Sequence, residues 1–412
     1  MAKILISLLG TGQIEKNNTN KNEYKGTDYI IEKTIYSDEK FVSLLLVKHY
    51  KIDKLFLVGT NQSMWDMVAE SFKAEENYQF EIIEKKDNNT LTEDSLFKLN
   101  DIIGKGLKNS GSKCFIIKDG ENQEELWSIF EKFLEILDSV DEGDEVYFDI
   151  THLFRSLSVM SFVMLEFGKT YKKFKIAGVF YGMLKKGEPS VIVDLSIFFE
   201  LLEWAKAIKN LKEFGNGYSL MQLIKKSDES NEIKNSFSNF SHALSISDMG
   251  AMRQSMKQIK GKLKLFDEAN NRIIGLVSKE LREFINSFDA DSLGTFQMQL
   301  AQWYANNKNY SMAYITLVEA VLSVVCESMR NDPTDKEYRD EAKNFLWDFR
   351  FSASGSKEKE KVYAVFTKVN NIRKNIAHKT STKGSASKAT PKSSIENISE
   401  YIMILKNIKK YI

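Results

Sequence analysis

The sequence predicts an α/β domain followed by an all-helical region. In the first half, apolar runs of strand length alternate with stretches of helical periodicity, which is typical of a doubly wound parallel sheet. After Ser196, only Pro333 and Pro391 interrupt apolar positions that recur at spacings of three and four. We therefore predict three parts: a sheet domain over 1–196, a helical connector over 197–290 and a C-terminal helical domain over 291–412.

The predicted strands of the sheet domain are short apolar runs bounded by turn residues. They cover 3–9, 54–58, 80–83, 114–118, the segment from Val146 to Ile150, and 174–181 with 190–195 as a closing hairpin. Helices are expected over 124–137 and 155–168, and directly after residue 63. Further helices are predicted over 198–214, 236–244, 252–288, 295–306, 310–329, 357–377 and 395–411.

The composition is that of an ordinary globular protein, with 42% hydrophobic and 28% charged residues. We find no run of about 18 uninterrupted apolar residues, so no membrane span is predicted. The amino terminus lacks a cleavage site for export. Cys114 and Cys326 are isolated, which indicates neither a disulfide framework nor a zinc cluster. We expect a cytoplasmic location.

The net charge of +1 hides an asymmetry along the chain. Residues 350–412 contain 14 Lys and Arg against 4 Asp and Glu, a local charge of +10, which leaves −9 for the rest. Such a run is usually a solvated face, but it also makes the carboxyl end the better candidate for a polyanion surface.

Three polar loops follow strands that should be neighbours in the sheet. Because the carboxyl ends of parallel strands share one edge, these loops should converge on one crevice that suits a phosphate-containing ligand. The predicted ligand-binding residues are Gly10, Thr11, Gly12 and Gln13 after the first strand, Thr60, Asn61 and Gln62 after the second, and Thr151, His152, Phe154, Arg155 and Ser156 after the Val146 strand.

Roles in the third loop follow from the side chains. Arg155 can pair with a phosphate, and the hydroxyls of Thr151 and Ser156 can donate hydrogen bonds. His152 either contacts a base or is a structural histidine. Asp149, at the end of an apolar strand, is expected to fix the loop by accepting hydrogen bonds rather than to touch an anion.

The segment DITHLFRSL from Asp149, with Gly10-Thr11-Gly12 and the Tyr24-Lys25-Gly26 excursion, resembles the CARF domain of type III CRISPR-associated ancillary proteins. The resemblance covers about residues 1–196. It implies a dimeric Rossmann-like domain that binds a cyclic oligoadenylate, cyclic tetra-adenylate or cyclic hexa-adenylate, across its two-fold axis, with no further cofactor.

Arg373 and His378 stand five positions apart, on adjacent turns of a predicted helix. Cleavage of RNA by its own 2'-hydroxyl needs a base, an acid and a cation for the phosphorane, and imidazole and guanidinium supply these without metal. One such histidine per chain is too few for both proton transfers. The chemistry therefore favours a composite cleft between two chains of a homodimer, with higher oligomers left open.

The stretch Asn370-Asn-Ile-Arg-Lys-Asn-Ile-Ala-His378 resembles the ribonuclease motif of HEPN domains. Many such motifs carry a polar Asn, Asp or His directly after the arginine, whereas here Lys374 takes that place and Asn375 follows. The resemblance implies a metal-independent endoribonuclease that cuts single-stranded RNA, leaves a 2',3'-cyclic phosphate and acts in antiviral defence. Its predicted catalytic residues are Arg373, His378 and Asn375.

Two alternatives stay open on the sequence. Lys374 favours a non-catalytic sensor that regulates a partner or binds RNA without cutting it. A third function is cleavage of the cyclic messenger by the sheet domain, with Thr11, Thr151 or His152 positioning a 2'-hydroxyl. Four aromatic residues at helical spacing are interpreted as core or dimer contacts rather than base-stacking platforms: Trp303, Tyr304, Tyr310 and Tyr314.

Overall fold

The computed structural model describes residues 1–12, 14–15, 23–24, 26–152, 155–185, 188–350, 357–378 and 390–412. For residues 14, 15, 23, 24, 155, 156, 158, 377 and 378 it describes the backbone alone. The chain forms two compact units, Met1–Glu200 and Leu201–Ile412. The predicted connector and C-terminal helical domain thus lie together in the second unit.

The first unit contains the sheet, which confirms the predicted α/β class. Within the described residues its strands are β1 (Lys3–Leu9), β2 (Ile14–Glu15), β3 (Glu23–Tyr24), β4 (Thr27–Ile31), β5 (Thr34–Glu39), β6 (Lys54–Gly59), β7 (Lys113–Ile116), β8 (Glu145–Asp149), β9 (Lys175–Met183) and β10 (Ser190–Asp194). Its helices are α1 (Val42–Tyr50), α2 (Trp65–Ser71), α3 (Glu76–Asp87), α4 (Phe97–Leu107), α5 (Gln123–Asp138) and α6 (Arg155–Tyr171). The helix α7 (Ile197–Phe214) begins in this unit and ends in the second.

Eight strands form one sheet in the order β5-β4-β10-β9-β8-β1-β6-β7. The segment from β9 to β7 is parallel, and β9 pairs with β10 in the predicted antiparallel hairpin. Renumbered along the chain, these five parallel strands have the order 3-2-1-4-5 of a Rossmann fold. The order reverses between β1 and β8, so this strand pair is the topological switch point at which such sheets bind ligands.

Strand β1 is central because both of its faces are apolar. Ile4, Ile6 and Leu8 belong to one core cluster, whereas Leu5 and Leu9 belong to the other. Alternate side chains of a strand point to opposite faces, so a fully apolar strand must be covered on both sides. Helices α1 to α4 contribute to the core on one face, and α5 and α6 to the core on the other.

The strand predicted over 80–83 is wrong, because this segment lies inside α3. Its buried residues are Tyr78, Ile82 and Lys86, at the i, i+4 spacing of a helix, whereas Phe80 is 44% exposed. Consecutive apolar residues in this segment resemble the pattern of a strand, but only the residues on one face of the helix are buried. The sequence also gave no indication of β4, β5, α1 or α4.

The second unit is all-helical, as predicted. Its further helices in the described residues are α8 (Tyr218–Lys226), α9 (Asn231–Ser245), α10 (Met249–Asp267), α11 (Arg272–Asn286), α12 (Leu293–Asn306), α13 (Tyr310–Ser328), α14 (Lys336–Asp348), α15 (Lys357–His378) and α16 (Pro391–Lys406), and a short 3₁₀ helix covers Ile408–Lys410.

The single helix predicted over 252–288 is instead the pair α10 and α11. Asn271 begins the second helix, since its side-chain oxygen accepts a hydrogen bond from the Ile273 amide at 2.9 Å. An N-cap of this kind satisfies one of the free amides of a helix start. Apolar periodicity continues across the break, and for that reason the sequence pattern did not reveal it.

The helix α13 is long and apolar enough to cross a membrane by length and composition. In the described structure 67% of its most apolar window is buried within the protein. Ala313, Leu317 and Val321 are each 0% exposed in the helical core. The same side chains therefore serve as the centre of this unit.

Candidate functional site

A pocket of about 230 Å³ opens at the carboxyl ends of β1, β6 and β8. It lies at the switch point of the sheet, where the predicted crevice was placed. The residues that line it are Leu9, Gly10, Thr11, Gly12, Thr60, Ser63 and His152. The structure thus brings together one or more predicted ligand-binding residues from each of the three loops.

Gly10 is required by the close approach of two loops. A Cβ atom at this position would lie 2.0 Å from the carbonyl oxygen of His152. Only a residue without a side chain allows the backbone after β1 to pass so near the backbone after β8. Gly12 adopts a left-handed conformation with φ of 73°, which also favours glycine.

Ser63 connects the loop after β6 to the end of β1. Its Oγ donates to the carbonyl oxygen of Leu9 at 2.5 Å and accepts from the Thr60 amide at 2.9 Å. The Met64 amide then donates to the carbonyl oxygen of Gly10 at 2.9 Å. Ser63 was not among the predicted site residues, although its position four residues after Gly59 ends the same polar loop.

Asp149 fixes the third loop, as the sequence predicted. Its buried carboxylate accepts from the Ser7 hydroxyl at 2.7 Å, and from the amide and hydroxyl of Thr151 at 3.0 and 2.5 Å. Ser7 and Asp149 are register partners of β1 and β8. Hydrogen bonds to an ionised acceptor are among the stronger ones, so this carboxylate holds the two strands of the switch point together. Burial and, to a lesser extent, the charge of Asp149 raise the pKa of Tyr29 to about 12.

His152 is held by a helix start. Its Nε2 accepts a hydrogen bond from the backbone amide of Val42, the first residue of α1, at 3.1 Å. Burial lowers the pKa of His152, and the charge of Asp149 opposes that shift in part. The imidazole is therefore neutral, with its proton on Nδ1, because Nε2 is the acceptor. The hydrogen bond from Val42 thus supports a structural role for His152, whose ring also lines the pocket.

Other predicted ligand residues have different positions. The side-chain amides of Asn61 and Gln62 donate to Asn89, at 2.5 and 3.3 Å, and that of Gln62 also to the Lys86 carbonyl oxygen at 2.9 Å. They hold the loop to the end of α3 and are not pocket-lining residues. The Thr151 hydroxyl accepts from the Gly182 amide at 2.8 Å besides donating to Asp149. Gln13 and Phe154 lie outside the described residues, as do the side chains of Arg155 and Ser156.

Helix α6 starts beside this pocket and presents an apolar surface. Val159, Val163, Phe167 and Tyr171 recur every four residues and are each 49% to 68% exposed. We call this surface the α6 stripe. Four large apolar side chains in one exposed row are more than the scattered single residues of an ordinary surface, and they indicate a contact with another molecule.

The predicted catalytic residues lie near the end of α15. Val362, Val369 and Ile372 are buried, whereas Lys374 and Asn375 are exposed and Arg373 is half-buried. At 100° per residue, positions 373 and 378 differ by about 140°, so they do not share a face of the helix. Positions 375 and 378 do share one, since they are three residues apart. The side chain of His378 lies outside the described residues.

After its acidic first turn with Glu358 and Glu360, α15 exposes mainly lysines and amides. Lys361, Lys368, Asn371, Lys374 and Asn375 are all solvent-exposed. Such a surface suits a polyanion. Among the described residues, no group of three or more His, Cys, Asp or Glu side chains is placed to hold a metal ion.

Comparisons with known proteins match two parts of the chain. Residues 4–184 match the family described as CRISPR system endoribonuclease Csx1, CARF domain. Residues 200–292, which nearly coincide with the predicted connector, match the family described as CRISPR-associated protein MJ1674, second domain.

Over its length the chain is similar to CRISPR-associated protein MJ1674 of Methanocaldococcus jannaschii, with 33% identity over 433 aligned residues. The alignment covers 99% of this chain and 66% of that protein, so the chain spans less than two thirds of its relative's length. A solved structure, Enterococcus italicus Csm6 bound to cyclic hexa-2'-fluoro-hexa-dAMP, aligns with 13% identity and a TM-score of 0.41, covering 100% of this chain and 94% of that one.

Proposed function

Residues 4–184 match the Csx1 CARF-domain family, and on this premise we propose that the chain is a CRISPR-associated endoribonuclease activated by a cyclic oligoadenylate. One observation carries the proposal: a switch-point pocket in the CARF domain and an Arg373-x4-His378 sequence at the end of an amphipathic helix occur in the same chain. The first part detects the messenger, and the second cuts single-stranded RNA.

The size of the pocket supports a ligand shared by two chains. Its volume of about 230 Å³ is below the roughly 300 to 1,000 Å³ of sites that enclose a drug-sized molecule. One chain therefore accommodates part of a cyclic tetra- or hexa-adenylate. A ring of identical nucleotides matches two identical pockets related by a two-fold axis, since both partners then have the same symmetry.

The α6 stripe supports a homodimer of the CARF domain. It begins next to the pocket, and a second copy of the same stripe would bury its four apolar side chains in a self-complementary contact. Two pockets would then lie on either side of the axis. The first turn of α6 contains Arg155 and Ser156, the residues predicted to bind phosphate.

The geometry of α15 supports a composite nuclease site. Arg373 and position 378 lie about 140° apart around the helix axis, and one histidine per chain is too few for both proton transfers of RNA cleavage. Two copies supply two guanidinium and two imidazole groups. One imidazole takes the 2'-hydroxyl proton and the other donates to the leaving 5'-oxygen, while the guanidinium groups and the Asn375 amide stabilise the charge on the phosphorane.

Activation requires that the messenger binds the active arrangement more tightly than the inactive one, because equal affinity for both would shift neither population. The messenger then draws the Arg373 and His378 groups of the two chains into a competent geometry. The reaction leaves a 2',3'-cyclic phosphate and needs no metal.

The test is cleavage of a fluorogenic single-stranded RNA in EDTA, with and without cyclic tetra- and hexa-adenylate, for the parent and His378→Ala. We expect activity with one messenger only, unchanged by EDTA and absent from the variant. Binding of a messenger without any cleavage would refute the proposal and favour the non-catalytic regulator.

Degradation of the messenger by the CARF domain is the less favoured function. The Thr151 hydroxyl already donates to Asp149 and accepts from Gly182, and the Nε2 of His152 already accepts from Val42. Of the three candidate groups, Thr11 alone is exposed. Degradation of the messenger by the His378→Ala variant would support this function of the CARF domain.

A further inference from the structure

A second cavity, of about 420 Å³, lies in the helical unit. One face of α12 forms its main wall, with side chains at positions 295, 298, 299, 302, 303 and 306. The opposite wall comes from the end of α11, from α13 and from the carboxyl end of α16. We call this space the α12 cavity. It contains none of the residues assigned above to the messenger or to RNA cleavage.

The apolar part of the α12 cavity is aromatic. Trp303 lines it together with Phe288 and Met298. The indole is held by edge contacts with Phe284 and Phe288, at centroid distances of 5.5 and 5.8 Å and interplanar angles near 80°. Its neighbour Tyr304 is only 3% exposed and belongs to the core. Trp303 is therefore a pre-oriented aromatic surface, which the sequence pattern did not distinguish from its buried neighbour.

The polar part is supplied by side-chain amides. Gln302 donates to Asn306 at 2.9 Å, whereas the Oε1 of Gln299 is buried without a hydrogen-bond partner among the described residues. A buried acceptor without a partner is costly, and most buried polar groups in proteins have one. Gln299 lines the cavity, so a ligand that donates a hydrogen bond to its side-chain amide would satisfy this oxygen.

Two cations stand at the rim. Lys406 and Lys409 line the cavity and are exposed, and the Lys409 Nζ lies 3.5 Å from the Thr295 hydroxyl. No carboxylate of the described ranges forms a salt bridge with either ammonium group. The α12 cavity thus combines the aromatic face of Trp303 with the side-chain amides of Gln299 and Gln302. Its rim adds the positive charges of Lys406 and Lys409, which form no salt bridge with the described carboxylates.

We propose that the α12 cavity binds one nucleotide. The base packs against Trp303, its edge pairs with the Gln299 amide, and its phosphate lies between Lys406 and Lys409. A side-chain amide offers one donor and one acceptor, the arrangement that matches adenine. Aromatic stacking and cationic groups along a groove are the two features with which proteins hold single-stranded nucleic acid. The nucleotide comes either from a single-stranded RNA or from a free mononucleotide.

The test measures binding to the full chain carrying His378→Ala, which keeps RNA intact and makes the result independent of whether the chain is a nuclease. The probes are a fluorescently labelled linear oligoadenylate, followed by anisotropy, and unlabelled AMP as competitor. The variants are Gln299→Leu, Trp303→Leu and the pair Lys406→Ala with Lys409→Ala. Lys410→Ala is the matched control, since Lys410 is exposed but does not line the cavity.

We expect Trp303→Leu to weaken RNA binding about 5- to 150-fold, the range for loss of one base stacked on an aromatic ring. Gln299→Leu should weaken it about tenfold without unfolding the helix, and so tests the site even where Trp303→Leu disturbs packing. The lysine pair should reduce the slope of log affinity against log salt by about 0.7, since both lysines contact the same phosphate and each single-strand phosphate contact contributes roughly 0.7. Lys410→Ala should leave the slope unchanged.

Displacement of the RNA by AMP would assign the cavity to a mononucleotide, and binding of RNA without competition by AMP to a nucleotide of a strand. Either result supports the proposal when Gln299→Leu and the lysine pair weaken the binding of RNA. The proposal is overturned if Gln299→Leu and the lysine pair bind RNA within twofold of the parent. It is also overturned if these variants change the oligomeric mass while the affinity for RNA stays the same.

Discussion

Replacement of Gly10 by alanine tests the close approach on which the CARF pocket depends. The added Cβ would lie 2.0 Å from the carbonyl oxygen of His152, which is 1.4 Å inside the 3.4 Å at which ordinary contact begins. Strands β1 and β8 cannot separate, because Ser7 and Asp149 fix their register at this end. The loop that carries His152 must therefore move.

A movement of that size breaks the 3.1 Å hydrogen bond between His152 and the Val42 amide. Overpacking costs about 1 to 3 kcal/mol, and loss of an acceptor at a helix start about 1 kcal/mol. The free energy of opening this part of the domain should thus fall by about 2 to 4 kcal/mol. By hydrogen exchange with mass spectrometry, amides of α1 should exchange about 30- to 700-fold faster, since each 1.4 kcal/mol is a factor of ten.

Gly143→Ala is the matched control. Gly143 has a φ of 88°, and a Cβ there would meet no atom within 4 Å, so alanine adds backbone strain of about 1 kcal/mol without touching the pocket. Binding of a labelled cyclic oligoadenylate should be lost in Gly10→Ala and retained in the control. Equal exchange rates and equal binding in the two variants would refute the steric reasoning.

Three further predictions concern pH, assembly and catalysis. Because burial lowers the pKa of His152 below its ordinary 6.5, the unfolded state takes up a proton at a higher pH than the folded state. The stability of the CARF domain, measured by thermal unfolding, should therefore be complete above about pH 6.5 and fall as the pH decreases from there. His152→Gln should flatten this dependence. Phe167→Glu in the α6 stripe should convert dimers to monomers in light scattering and weaken messenger binding more than tenfold, whereas Phe97→Glu, at an equally exposed phenylalanine outside the stripe, should do neither. In a 1:1 mixture of parent and His378→Ala chains, the rate of RNA cleavage should be roughly one quarter of that of the same total amount of parent chain, because each composite site needs both histidines. A rate near one half would contradict the composite site.

The sheet could be predicted largely from the sequence because its central strands are local apolar runs. The prediction for β1 has the same bounds as the observed strand, and the loops after β1, β6 and β8 meet as the parallel topology requires. The all-helical class of the second half was predictable because its apolar positions recur at spacings of three and four. Segment 80–83 was not, since its burial follows a helical stripe that adjacent apolar letters conceal.

Partners of individual side chains could not be predicted. Asn61 and Gln62 follow a strand at the right edge, yet they bond to Asn89 and Lys86, residues that only the fold of α3 brings near. The role of His152 depends on Val42, 110 positions earlier in the chain. Such pairings are set by tertiary packing, and the sequence around each residue contains no trace of them.

The hydrogen bond between Ser7 and Asp149 also indicates when the switch-point pocket can form during synthesis. It joins residues 142 positions apart, so the central strand pair closes a very long loop. At about 5 to 20 residues per second, the ribosome releases β8 roughly 7 to 28 s after β1. Until then β1 has no partner on that side and the switch-point pocket does not exist. A nascent chain therefore lacks this pocket until its sheet is nearly complete, and the helical unit is made only afterwards.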